Sequence, residues 1–148
     1  MTEQTKNLDY LQSFIDEMKE SSSGNYKIET IKKHSDSEFL QKIFNYTYNP
    51  YKKYNVTSKN CKKNSELLGH ANTYGSIFTL LDDLANRVCT GHNAIANVNR
   101  FILENVQYED LIFNIIDRDL KMGASTSSIN KVIPGCIPTF KVALANPY

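Results

Sequence analysis

Residues 118 to 138 read RDLKMGASTSSINKVIPGCIP: a charged pair, a glycine, a run of small hydroxyl residues, an Asn-Lys pair and two prolines. Gly123 can stop a preceding helix, because glycine tolerates the left-handed conformation common at such ends. Ser125 or Thr126 can cap the next helix, TSSINKV, which stops before Pro134 and Gly135. A helix N-terminus flanked by glycine and serine offers free backbone amides, a hydroxyl and the positive end of the helix dipole. Those are the components of a phosphate site. Lys121 and Lys131 add charge, and Asn130 adds an amide donor for a backbone oxygen. The plainer reading is a capped corner between two helices, since capping motifs outnumber anion sites. The stretch CTGHNAI, residues 89 to 95, repeats the device, with Thr90, Gly91 and Asn93 opening another helix.

A second feature is charge. Between Asn49 and Lys63 stand Lys52, Lys53, Lys59, Lys62 and Lys63 with no acid among them, and Tyr51 and Tyr54 are interleaved. Such a stretch suits a nucleic-acid backbone, where each neutralised phosphate releases counterions; it also suits a solvated loop. Groups for catalysis are thin. His34, His70 and His92 form no H-x-x-x-H pair, and each is most simply a surface or capping residue. Asp82 and Asp83 are adjacent in a helix and face different ways. Asp117 and Asp119 flank Arg118, which reads as a local ion pair rather than a metal site. Neither a G-x-x-x-x-G-K-[ST] loop nor a G-x-S-x-G elbow occurs.

The elements that must position these residues are helical. In LDYLQSFIDEMKE, Leu8, Leu11, Ile15 and Met18 share one stripe. After SSSGN a short helix starts in YKIETIKKH. In DSEFLQKIFNYTY, Phe39, Leu40, Ile43 and Phe44 mark one face, Ser35 or Asp36 is available as a cap, and Asn49-Pro50 ends the element. Residues 49 to 75 read as a long connection with one short turn of helix. Ile77, Leu80, Leu81, Leu84 and Val88 line up next, then Ile95, Val98, Phe101 and Ile102 behind a Thr90 cap, then Leu111, Ile112, Ile115 and Ile116. No alternating run is long enough for a strand. The expectation is an all-α, irregular multi-helix domain of about six to eight helices over residues 1–138, with residues 139–148 as the start of a linker or C-terminal tail.

The 148-residue chain carries a formal net charge of +1, which excludes a strongly basic protein but not a local basic patch. Three scattered cysteines, Cys61, Cys89 and Cys136, argue for reduced thiols and a cytoplasmic setting, and against a structural zinc site. Nothing in the sequence approaches a membrane span or a signal peptide, so no membrane partner is expected.

Segment 118–138 resembles the hallmark segment of the N-terminal DNA-binding domain of bacteriophage-type ATP-dependent DNA ligases, close to R-D-L-x-x-G-A-S-x-x-x-x-N-K-V-x-P-G-x-I-P. Arg118, Asp119, Leu120, Gly123, Ala124, Ser125, Asn130, Lys131, Val132, Pro134, Gly135, Ile137 and Pro138 match it in register. CTGHNAI is similar to the family stretch LTGNAAI, and FLQKIFNYTYNP to LLKRVYRLTYS. The resemblance implies a helical, DNA ligase DNA-binding-domain-like fold that grips nicked double-stranded DNA through minor-groove and phosphate contacts without sequence specificity. It carries over Gly123, Ala124, Ser125, Asn130 and Lys131 as DNA contacts, with Thr90, Gly91 and Asn93 as a second set, beside Lys121, Lys52 and Lys53 from the charge pattern. Arg118 and Asp119 are expected to lock two helices together.

One departure bears on activity. The family's adenylation motif K-x-D-G, whose lysine takes AMP, is absent from these 148 residues. No catalytic residue, metal site or cofactor is therefore expected in this chain. ATP and magnesium would enter only through a nucleotidyltransferase domain or subunit, a possible partner. The chain reads as a non-catalytic DNA-binding domain or subunit of a phage ligase, located in the host cytoplasm. The alternative is a free-standing phage protein that uses a ligase-like fold to bind DNA or a host protein and interfere with repair or defence.

Overall fold

A computed structural model of the protein describes residues 3–68 and 74–138. His70 and residues 139–148, the expected linker or tail, lie outside the described residues. Eight α-helices and one 3-10 turn make up the described chain, and no strand occurs among the described residues. They are α1 (Glu3–Met18), α2 (Gly24–Lys33), α3 (Glu38–Tyr48), α4 (Ser58–Lys63), α5 (Ile77–Ala85), α6 (Gly91–Leu103), the 3-10 turn (Val106–Tyr108), α7 (Glu109–Ile116) and α8 (Thr126–Val132). The all-α expectation is met.

The helices form where apolar residues recur at spacings of three and four. Leu8, Leu11, Ile15 and Met18 of α1 are buried, and so are Leu40, Ile43 and Phe44 of α3. Along α6 and α7 the inward positions Ile95, Val98, Phe101, Ile102, Leu111, Ile112, Ile115 and Ile116 all join one core. α1 packs on α2, α2 on α8, and α3 on α7, while α4 lies against both α6 and α7. His34 cross-links the first pair. Its imidazole meets the Tyr10 hydroxyl at 2.8 Å and Glu17 Oε1 at 3.0 Å, with Phe14 edge-on at 5.2 Å between ring centres.

Several local expectations are corrected. Ser37, not Ser35 or Asp36, caps α3, its hydroxyl accepting from the Leu40 amide at 3.1 Å. Val88 is 70% exposed rather than in line with the α5 core. α5 stops at Ala85, and Arg87 turns left-handed at φ 58°, so that Arg87 N–H donates to Leu84 O and Val88 N–H to Asp83 O. α7 ends the same way: Arg118 sits at φ 67° and donates to Ile115 O, and Asp119 donates to Asn114 O. Arg118 therefore closes the helix that Gly123 was expected to stop.

Candidate functional site

The segment after α7 is held by its neighbours residue by residue. The Arg118 guanidinium reaches back and donates to Asn49 O, the end of α3, at 2.9 Å. It makes no salt bridge with Asp117 or Asp119, so the local ion pair read from the sequence does not form. Asp117 instead accepts from Ser58 N–H at 2.9 Å and from the Ser58 hydroxyl, fixing the start of α4. Asp119 accepts from Lys121 N–H at 2.9 Å, and Leu120 N–H donates to the Tyr48 hydroxyl at 3.0 Å. Arg118 and Leu120 thus tie the end of α7 to the end of α3.

Beyond Leu120 the chain turns through two left-handed residues, Lys121 at φ 56° and Gly123 at φ 77°. Lys27 of α2 comes up against this turn, its ammonium donating to Met122 O at 3.1 Å and to Met18 O, at the end of α1, at 2.7 Å. A Cβ on Gly123 would stand 3.0 Å from Lys27 Cε and Nζ, so glycine supplies both the backbone conformation and the room for the lysine. Ser125 caps α8, accepting from Ser128 N–H at 3.2 Å. The Asn130 amide is engaged twice by Ile137, donating to its carbonyl and accepting from its N–H, each at 2.9 Å. Asn45 of α3 donates to Cys136 O at 3.0 Å, so α3 holds this end of the segment too. Lys121, Gly123, Ser125, Ser127, Lys131, Pro134 and Gly135 remain exposed, and Ala124 is half-buried.

The second expected set, at the start of α6, has a different character. Thr90 stands at the N-cap but makes no side-chain cap bond. Gly91 follows at φ 58° with no atom within 4 Å of where a Cβ would be, and Gly91, His92 and Asn93 are exposed. Their amides meet no backbone acceptor outside the helix among the described residues.

The lysine-rich connection divides by its contacts. Tyr54, expected beside Tyr51 on a nucleic-acid surface, is a core residue whose hydroxyl donates to Tyr46 O. Tyr51 is 62% exposed. Lys52 lies over the Tyr46 ring, its nitrogen 4.5 Å from the centroid, and Lys62 over Phe113 at 5.0 Å. Lys53 lines an open cleft with Arg118 and Asp117. Lys121 and Gly123 line another, together with Lys19, Ser21, Ser22 and Lys27. Neither cleft includes Thr90, Gly91 or Asn93.

Lys19 and Lys27 escaped sequence reading. Lys27 sits 95 positions from the carbonyl it holds, and no local motif marks it. Among the described residues no group of three or more His, Cys, Asp or Glu side chains could hold a metal, and no helix is long and apolar enough to cross a membrane. Burial pushes the Cys61 thiol up to about 11 and also raises that of Cys136, which suits packing rather than nucleophilic chemistry.

No family model matches the chain. It is 29% identical over 142 residues to the DNA ligase of Enterobacteria phage T4, and to the same degree to that of Enterobacteria phage T6. The alignment takes in 90% of this chain and 28% of each ligase. The chain is thus similar to a region of phage DNA ligases, and it spans little more than a quarter of the length of these curated relatives.

Proposed function

We propose that this chain is a non-catalytic DNA-binding unit of a phage-type ATP-dependent DNA ligase, one that grips nicked duplex through phosphate and minor-groove contacts. The observation that carries the reading is the similarity along 90% of the chain to phage DNA ligases, with no K-x-D-G anywhere in the chain. Two structural features support it. The segment from Lys121 to Lys131 exposes small and cationic residues and is braced by α2 and α3. The start of α6, exposed and without a Thr90 side-chain cap, adds backbone amides that suit an anionic strand. Both suit phosphates, which position a protein on DNA without carrying sequence information. The reading leaves adenylation, ATP and magnesium to a nucleotidyltransferase domain or subunit that acts on the DNA held here.

The test is binding of the chain to nicked, intact and single-stranded DNA at about 50 mM and 200 mM salt, read by fluorescence anisotropy. Ser125→Asp preserves a good N-cap while placing a carboxylate where a phosphate would sit, and it is expected to weaken duplex binding strongly. Lys131→Ala and Lys52→Ala/Lys53→Ala are expected to weaken it and lower its salt dependence. Absence of duplex binding by the parent chain at the lower salt would overturn the reading. It would favour a ligase-like fold directed at a protein.

A further inference from the structure

We propose that the cleft between the α1–α2 connection and the turn at residues 121–123 is a seat for one phosphate group, held by Lys19, Lys27 and Lys121 with Ser22 and Gly123. The proposal rests on the reading above in taking that phosphate to belong to a DNA backbone. The cleft is open, about 400 Å³, and three lysines line it with no carboxylate among its walls. Of the nearest acids in sequence, Glu17 binds Lys33 at 2.8 Å and His34 at 3.0 Å, Glu29 pairs with Lys32 at 3.6 Å, Asp119 accepts from the Lys121 amide at 2.9 Å, and Glu20 is exposed. None of the three lysines makes a salt bridge with a described carboxylate.

Lys27 gives the seat its fixed part. An ammonium has three donors, and here Met18 O and Met122 O take two of them. The third remains for a ligand. Met18 is the last residue of α1, so the same contact offsets the negative end of that helix dipole, which would otherwise repel an anion. Gly123 leaves room for the ammonium, because a Cβ there would stand 3.0 Å from it. Lys19 and Lys121 are exposed and line the same cleft, as does Ser22, which is also exposed. The parts come from the α1–α2 connection, α2 and the turn before α8, so the seat exists only in the folded chain.

The experiment uses the full chain, labelled with nitrogen-15, and follows the amides of Ser21, Ser22 and Gly123 during titration with a nicked duplex and, separately, with pyrophosphate. The parent is compared with Lys19→Ala/Lys121→Ala, whose exposed side chains can be removed without disturbing the Lys27 bridge. The expected result is that duplex shifts these three amides in the parent. The double variant should then lose the shifts, and its log-affinity should depend less on log-salt by about one contact, a difference of three- to fourfold between 50 mM and 200 mM. Shifts with pyrophosphate but not with duplex would keep the phosphate seat and overturn its assignment to DNA. If the parent binds duplex while the three amides stay still and the double variant matches it, the seat is refuted and the DNA reading stands. If neither ligand moves the amides and duplex does not bind, both fail.

Discussion

Asn130 lies in the segment most similar to the ligase hallmark, and its surroundings in the fold give it a measurable weight. Its amide closes the loop through Pro134 and Gly135 by two hydrogen bonds to Ile137, each 2.9 Å. Ile137 is 2% exposed and belongs to the core, so the bonds hold a core residue in place through its backbone. Asn130→Ala removes both bonds and leaves an N–H and a carbonyl to find water. At about 1 kcal/mol per hydrogen bond, the variant should lose about 2 kcal/mol. In a domain of this size that lowers Tm by roughly 4–8 °C. With an m-value of about 2 kcal/mol/M, the urea midpoint should fall by about 1 M with the slope unchanged. Lys131→Ala, one residue on and exposed, should stay within about 0.5 kcal/mol of the parent. Asn130→Asp should be no better than alanine, because it keeps the acceptor but sets a carboxylate against the Ile137 carbonyl. An Asn130→Ala protein that melts with the parent yet fails to bind duplex would refute this reasoning and make Asn130 a direct DNA contact rather than a brace.

Arg87 occupies a left-handed position at φ 58° on an exposed turn, so Arg87→Gly is expected to stabilise the protein by about 1 kcal/mol, seen as a rise in Tm of about 2–4 °C. Lys33 and then His34 hold the Glu17 carboxyl below its ordinary value of 4.5, so its stabilising effect is complete above that pH and is lost as pH falls further. Urea melts across the acid range should show this fall, and Glu17→Gln should flatten it. At the alkaline end, burial pushes the phenols of Tyr46 and Tyr48 up to about 12 from an ordinary 10. The unfolded chain releases these protons first, so stability should hold below pH 10 and fall as pH rises toward 12; absorbance at the tyrosinate band, with and without urea, measures both transitions.

Much of the fold was legible because its helices are amphipathic and each burial stripe runs along a single element. The stripes of α1, α6 and α7 are core, and so is that of α3 apart from Phe39, which is half-buried against it. Where the sequence misled, the deciding contact was small or distant. Ser35, Asp36 and Ser37 are all capping types, and only the phase of the helix against the Leu40 amide selects Ser37. Val88 fits the α5 stripe by spacing, but Arg87 ends the helix in a left-handed turn with no glycine to announce it. The candidate site divides likewise. The spacing of Gly123, Ser125 and Asn130 marked a turn and helix start that the structure contains, whereas what each residue does there depends on partners elsewhere in the chain. Asn130 braces Ile137, and Gly123 makes way for a lysine from α2.

The same sorting explains how a chain of net charge +1 can offer cationic surface. Several of its carboxylates face neutral donors instead of lysines. Asp82 accepts from Tyr46 at 2.7 Å, Asp83 from Tyr74 at 2.9 Å, and Asp117 from Ser58. Each such bond turns an acid toward the protein's own hydroxyls and fixes where its charge sits. Lys53, Lys59, Lys63 and Lys121 stay exposed without a salt bridge to any described carboxylate. Local potential follows that arrangement rather than the sum. At the turn before Gly123 the exposed lysines Lys19 and Lys121 line one cleft, and the nearby Asp119 carboxylate is fixed on the Lys121 amide rather than on an ammonium.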